Sequence, residues 1–196
     1  GTVDVVTRYL FEQGCYVTEH HSFDDRLANR FFIRVEFRTQ ADFDEATFLA
    51  GLNERTAPFD MRTELTPPGY RAKVVIMVSK ADHCLNDLLY RQRTGQLPMD
   101  ITAIVSNHPD LKPLADWHGI PYHHFPLDPN DKPAQERRVM QVVEDTGAEL
   151  VVLARYMQVL SADLCRKLDG RAINIHHSLL PGFKGAKPCL LYTSDA

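Results

Sequence analysis

The chain has 196 residues, of which 44% are hydrophobic and 24% charged, and its formal net charge is −4. This composition is typical of a globular protein with a buried core. A small acidic excess argues against a nucleic-acid partner, since such proteins usually carry a basic patch. No apolar run approaches the ~18 residues that span a bilayer, so we also expect no membrane partner.

The cysteines and histidines form no metal-binding pattern. The four cysteines, which stand far apart without a C-x-x-C pair, are Cys15, Cys84, Cys165 and Cys189. Scattered single cysteines suit a reducing cytoplasm. Adjacent histidines occur at residues 20–21, 123–124 and 176–177. Neighbours on a strand point to opposite faces, so such a pair cannot share one ion. The sequence predicts a cytoplasmic protein without a metal site.

Residues 1–65 alternate between helical and strand patterns. Apolar residues at helical spacing predict a first helix that ends near Gly14. Strands are predicted at Tyr16–Ser22 and Arg30–Arg38. In the second strand, the apolar residues at positions 31, 33, 35 and 37 face one way and the charged residues at 34, 36 and 38 face the other. A helix at Asp42–Arg55 and a strand at Phe59–Leu65 follow. With one strand added before the first helix, this is the βαββαβ order of a ferredoxin-like domain.

A new pattern begins after a linker at residues 66–72, where prolines and a glycine end regular structure. Strands alternate with helices over residues 73–188. The strands are predicted at Val74–Val78, Ile101–Val105, Tyr122–Phe125, Leu150–Ala154 and Ala172–Ile175, and the helices at Asp82–Arg93, Asp110–His118, Pro133–Thr146 and Ser161–Leu168. This alternation predicts an α/β domain with a doubly wound parallel sheet, whose ligands bind at the carboxyl ends of the strands.

The turn after the first strand of this domain carries no glycine, since none occurs between Gly69 and Gly95. A dinucleotide or phosphate site at such a turn needs glycines, so that backbone amides can approach the phosphate oxygens. The sequence therefore argues against a nucleotide cofactor at this position.

The most informative segment of the chain is Asn174-Ile175-His176-His177-Ser178-Leu179-Leu180-Pro181-Gly182-Phe183-Lys184-Gly185. Asn174 and His176 project from the same side of a predicted strand end. A carboxamide beside an imidazole can stabilise an oxyanion and move a proton. The alternative is a polar strand end with a hydrogen-bonded histidine.

This segment resembles the signature of the formyltransferases that use formyltetrahydrofolate, in which Asn-Ile-His-x-Ser-Leu-Leu-Pro is followed by Phe-x-Gly. With His177 after the first histidine, it is most similar to formyltetrahydrofolate deformylases, and the resemblance runs from about Gly1 to Pro188. It implies hydrolysis of 10-formyltetrahydrofolate to tetrahydrofolate and formate, within one-carbon metabolism and purine biosynthesis and without a bound cofactor. Asn174 and His176 are then the catalytic residues, and a third catalytic group, an aspartate, is expected beyond Pro188.

The resemblance also implies a folate-binding set. Its members are Arg155, Tyr156, Met157, Gln158, Val159, Leu160, His177, Ser178 and Gly185. Several alternatives stay open. Val159 and Leu160 equally suit packing at a helix entry, and Arg155 either meets the glutamate tail of a folate or is solvated. For Ser178, the alternative to folate binding is that it simply caps a turn. The turn without glycines separates the chain from glycinamide ribonucleotide formyltransferases, which have a glycine-rich turn there for the phosphate of their acceptor.

Placed ahead of such a domain, residues 1–65 resemble an ACT domain, a regulatory module that commonly binds amino acids between copies. The resemblance implies a possible amino-acid effector and a homo-oligomer. A purely structural role for this segment is equally compatible with the pattern.

Both ends of the chain lead to further expectations. The first helix begins almost at Gly1, which predicts a strand missing upstream. Residues 189–196 resemble translated sequencing-adapter DNA and are expected to be non-native. Without the distal aspartate, we expect this polypeptide to be inactive, so the deformylase assignment describes the parent gene. The alternatives are a formyltransferase with an amine acceptor and a regulatory amino-acid-binding protein.

Overall fold

The computed structural model describes residues 1–26, 29–128 and 131–174. The chain divides into two compact units, Gly1–Pro68 and Gly69–Ala196. The division falls inside the segment that the sequence assigns to the linker. Within the described ranges, no helix is long and apolar enough to cross a membrane.

The described residues of unit 1 form two α-helices and two strands in the predicted order. They are α1 (Thr2–Glu12), β1 (Tyr16–Asp25), β2 (Arg30–Arg38) and α2 (Glu45–Thr56). The two strands pair antiparallel. β2 has the predicted bounds, whereas β1 continues past the predicted end at Ser22 because its last residues pair with the start of β2, with Asp25 opposite Arg30.

The core of unit 1 lies between the helices and one face of β2. Leu10 of α1 is 2% exposed and Phe48 of α2 is 3% exposed. Ile33 and Val35 pack against them, as expected from the alternation of side chains along a strand. The hydroxyl of Tyr9 joins the two helices by donating to the carbonyl oxygen of Phe48 at 2.9 Å.

The predicted strand at Phe59–Leu65 is wrong. Ala57–Phe59 forms a single 3-10 turn, and Asp60 adopts a left-handed conformation with φ 52°. The residues from Met61 to Leu65 are not in a strand, and no strand elsewhere in the described ranges pairs with them. Met61 and Leu65 pack against the core of unit 1, so their apolar spacing serves packing rather than strand pairing.

Unit 2 is the predicted α/β domain with a parallel sheet. Its strands are β3 (Ala72–Val78), β4 (Met99–Ser106), β5 (Tyr122–His124), β6 (Leu150–Leu153) and β7 (Ala172–Asn174), and its helices are α3 (His83–Arg93), α4 (Lys112–Trp117), α5 (Lys132–Asp145) and α6 (Ala162–Lys167). The five strands lie in the order β5-β4-β3-β6-β7, and all of them run parallel.

Helices cover both faces of this sheet, which is why its central strand reads as a continuous apolar run. Met77 of β3 packs with Val139 of α5 in one core cluster. Its neighbour Ile76 points to the opposite face and packs with Leu85 of α3. All four side chains are fully buried. The strand order changes direction between β3 and β6, and open α/β sheets bind their ligands at the carboxyl edge beside such a point.

Candidate functional site

Asn174 is the last residue of β7, at the carboxyl edge of the sheet. It pairs with Leu153 of β6, and its side chain is exposed. Asn174 therefore lies one strand away from the loop that follows β6. The predicted strand end Ile175 and the site residues His176, His177, Ser178 and Gly185 lie outside the described residues, as does the tail at residues 189–196.

The loop between β6 and α6, residues 154–161, contains the other predicted site residues and is called the β6–α6 loop below. Arg155 has φ 59°, a left-handed conformation that costs a non-glycine residue roughly 1–2 kcal/mol. Its side chain is exposed while Ala154 and Tyr156 on either side are buried. The left-handed residue turns the chain at the point where it leaves the sheet.

Tyr156 anchors the loop in the core of unit 2. It is 7% exposed, and its hydroxyl oxygen accepts a hydrogen bond from Nε2 of Gln135 at 2.8 Å. Burial raises the pKa of Tyr156; the hydrogen bond from Gln135 lowers it in part, and the Glu136 carboxylate raises it further. The phenol is therefore neutral at physiological pH, and it lies beneath the loop rather than lining an open slot.

Met157 connects the loop to the neighbouring strand ends. Its backbone N–H donates to Oγ of Ser79 at 3.0 Å, and Ser79 Oγ donates to Oδ1 of Asn107 at 2.8 Å. Ser79 and Asn107 follow directly after β3 and β4 and are 4% and 5% exposed. The carboxyl ends of three adjacent strands are thus joined by two hydrogen bonds. We did not predict these two residues, although a polar residue directly after a buried strand is a readable signal.

The distal half of the loop has two different surfaces. Val159 is 63% exposed, and its carbonyl oxygen accepts a hydrogen bond from Nζ of Lys132. Leu160 packs against the α5 face of the core, the position that the helix-entry alternative predicts for it. Gln158 is half-buried and Met157 is 37% exposed. Met157, Gln158 and Val159 therefore offer the outward surface of the loop.

Glu136 secures the end of the loop. Its carboxylate is buried, with 7% of the residue exposed, and accepts the backbone N–H of Ser161 at 2.8 Å and also the Ser161 hydroxyl. Ser161 in turn caps α6, because its Oγ accepts the N–H of Leu164 at 3.1 Å. We did not predict a role for Lys132, Gln135 or Glu136, which lie on α5 far from any motif.

This edge of the sheet combines a carboxamide donor at a strand end with a neighbouring loop held in one conformation. Such a donor can stabilise negative charge that develops on a carbonyl oxygen. Within residues 1–26, 29–128 and 131–174, no group of three histidine, cysteine, aspartate or glutamate side chains is arranged to hold a metal ion. The exposed carboxamide of Asn174 at the end of β7 suits the polarisation of a carbonyl group by a hydrogen bond.

Comparison with known proteins identifies the family. The family model described as "Formyl transferase" matches residues 72–191, which is more than half of the chain. The chain belongs to the formyl transferase family. The match starts at the first residue of β3 and includes the β6–α6 loop and Asn174, so it covers the site described above.

Several proteins similar to this chain are named formyltetrahydrofolate deformylases. One from Corynebacterium sp. (strain P-1) is 47% identical over 96% of this chain and 66% of its own length. A second, from Pseudomonas putida KT2440, has 78% sequence identity to this chain. Its crystal structure matches with a TM-score of 0.83 over 96% of this chain and 67% of that chain. One from Burkholderia mallei ATCC 23344 is 49% identical, with a TM-score of 0.82 over 96% and 66%. The chain thus spans about two thirds of the length of these relatives.

These findings confirm the resemblance to formyltetrahydrofolate deformylases and the formyltransferase fold of unit 2. Unit 1 lies outside the matched residues of the formyl transferase model. Its helix–strand–strand–helix order agrees with part of an ACT domain, and the ACT assignment stays a prediction.

Proposed function

We propose that the full-length protein hydrolyses 10-formyltetrahydrofolate to tetrahydrofolate and formate. The observation that carries this proposal is the position of Asn174 at the carboxyl end of β7, one strand from the β6–α6 loop. This is the edge of a doubly wound sheet at which ligands bind. The deformylase names of the relatives support the same chemistry.

In the proposed reaction a water molecule attacks the formyl carbon, and the formyl oxygen becomes an oxyanion. Asn174 donates a hydrogen bond to this oxygen, a contribution of roughly 3–4 kcal/mol in comparable sites. The carbon–nitrogen bond then breaks, and His176 assists the transfer of a proton to the leaving nitrogen. Formate and tetrahydrofolate are the products. The aspartate expected beyond Pro188 orients the water and tunes the histidine.

The folate lies against the β6–α6 loop. A flat pterin ring needs an apolar slot and a few well-placed hydrogen bonds, and Met157 and Val159 expose apolar surface on this loop. Arg155 is exposed on the same loop, and in this proposal its guanidinium pairs with the glutamate tail of the folate. His177, Ser178 and Gly185 complete the binding set by resemblance.

Unit 1 acts in regulation or assembly in this proposal. Its fold pattern supports an ACT-like module that binds an amino-acid effector between copies of a homo-oligomer. The scattered cysteines favour a cytoplasmic location.

The decisive assay uses the full-length protein from the complete reading frame, with 10-formyltetrahydrofolate and no amine acceptor. We expect formate release, and we expect Asn174→Ala and His176→Ala each to lower kcat by about 10²–10³-fold. His118→Ala is the matched control, because His118 ends α4 away from the carboxyl edge of the sheet. Absence of release from folded wild-type protein contradicts the proposal, and transfer that requires an added amine identifies a formyltransferase instead.

A further inference from the structure

Two buried polar side chains of α5 direct their hydrogen bonds to the β6–α6 loop. Gln135 and Glu136 are 5% and 7% exposed, and burying an amide or a carboxylate is unfavourable unless it is hydrogen-bonded. Gln135 donates to the hydroxyl of Tyr156 at 2.8 Å and reaches the carbonyl oxygen of Phe125 at 3.5 Å. The Glu136 carboxylate accepts hydrogen bonds from the backbone N–H and the hydroxyl of Ser161. Neither residue takes part in the proposed reaction.

These bonds hold the loop at both ends. Tyr156 is close to its start and Ser161 is its last residue, so the outward surface formed by Met157, Gln158 and Val159 lies between two fixed points. The loop also contains Arg155 in a left-handed conformation, which persists only where the surroundings determine the backbone firmly. A loop fixed before the ligand arrives binds it at a lower cost in conformational entropy.

We propose that Gln135 and Glu136 are positioning residues that pre-organise the β6–α6 loop for binding a reduced folate. This inference rests on the proposed function. The two side chains contact the loop and not the reacting atoms, whereas the oxyanion donor Asn174 lies on β7. Their loss therefore weakens ground-state and transition-state binding alike, which raises KM and leaves kcat unchanged.

The first test compares two changes at Glu136 in the full-length protein. Glu136→Leu removes both bonds to Ser161. Glu136→Gln preserves both contacts: its amide oxygen accepts the Ser161 N–H, and its amide nitrogen donates to the Ser161 hydroxyl oxygen, which reverses the direction of that second bond. We expect Glu136→Leu to raise KM by roughly 5–30-fold, the effect of one or two kcal/mol, with kcat within about twofold of the wild type. Glu136→Gln is expected to restore a KM near that of the wild type.

A second variant guards against misfolding. Tyr156→Phe removes one hydroxyl from the loop and leaves the apolar packing of the ring in place. It should also raise KM at constant kcat. Gln141→Leu is the matched control, because Gln141 lies on the same helix and bonds to Asp145 at 2.7 Å rather than to the loop. This control should behave as the wild type.

The dissociation constant of 5-formyltetrahydrofolate, a stable reduced folate, separates this inference from the proposed function. Glu136→Leu and Tyr156→Phe variants with wild-type KM and dissociation constant would overturn the positioning role, and so would a fall in kcat at constant KM. A wild-type protein that binds 5-formyltetrahydrofolate but releases no formate from 10-formyltetrahydrofolate refutes deformylase activity. The dissociation constants of the variants alone then decide the positioning role. A wild-type protein that neither binds nor hydrolyses a folate overturns both.

Discussion

Gly51 in α2 offers a sharp test of the packing between the two helices of unit 1. Replacing glycine by alanine inside a helix normally stabilises it by about 1 kcal/mol. A Cβ atom at Gly51 would lie 2.3 Å from Oη and 3.1 Å from Cζ of Tyr9. Tyr9 is 5% exposed, so its ring has little room to move. We therefore expect Gly51→Ala to destabilise unit 1 despite the better helix former.

The size of the effect follows from what Tyr9 would lose. Moving its ring breaks the hydrogen bond to the carbonyl oxygen of Phe48 at 2.9 Å and disturbs a ring contact with centroids 5.2 Å apart. An unsatisfied buried hydroxyl costs about 1–3 kcal/mol, and overpacking costs about 1–3 kcal/mol. After the gain of about 1 kcal/mol in helix propensity, we expect unit 1 to lose about 1–5 kcal/mol.

Amide hydrogen exchange in α1 and α2 is the appropriate assay, because a chain with two units need not unfold in one cooperative transition. Tyr9→Phe removes the oxygen that collides with the new methyl group. The cost of Gly51→Ala should therefore be clearly smaller in the Tyr9→Phe background. Stronger protection of α2 amides in the single Gly51→Ala variant would refute the reasoning, as would an equal cost in both backgrounds.

Three further expectations concern unit 2. Ser79→Ala removes the hydroxyl between Asn107 and Met157 and should destabilise unit 2 by about 1–3 kcal/mol, measured by urea unfolding with tryptophan fluorescence. Arg155→Gly should stabilise it by up to about 1 kcal/mol, because glycine adopts a positive φ freely, whereas Arg155→Ala should not. The raised pKa of Tyr156 means that this phenol ionises first in the unfolded chain. Its contribution to stability is therefore fully present below about pH 10 and is lost as the pH rises above it. Tyr156→Phe should make that alkaline fall shallower.

Strand pairing explains where the sequence reading of unit 1 succeeded and where it fell short. Arg30–Arg38 was predicted with its observed bounds because apolar and charged residues alternate from Ile33 to Arg38. The preceding strand was predicted to end at Ser22, since Asp24 and Asp25 favour turns. Both aspartates pair instead with residues of β2, Asp24 with Phe31. Cross-strand pairing outweighs a weak local preference, and a single sequence window does not contain the partner strand.

The order of elements in unit 2 followed from the pattern of apolar residues along the chain. Continuous apolar runs such as Val74–Val78 lie in a sheet covered on both faces, and the alternation with helices fixed parallel pairing. Bounds differed at the helix ends: α4 begins at Lys112 rather than Asp110. α3 begins at His83, directly after Asp82, whose carboxylate accepts a hydrogen bond from the side chain of Asn86 at 3.1 Å. The predicted helix start at Asp82 is thus one residue early, because Asp82 is the N-cap residue of α3.

The positioning residues on α5 escaped the sequence reading because their partners are distant along the chain. Yet one signal was present. Glu136 shares a helical stripe with Val139, Met140 and Val143, at the spacing of a buried face, and all three apolar residues are buried. Burying a carboxylate on such a stripe is unfavourable unless hydrogen-bond donors contact it. Ser161 provides both donors. A charged residue on an apolar helical stripe therefore predicts a buried polar contact, and here that contact leads to the loop beside the candidate site.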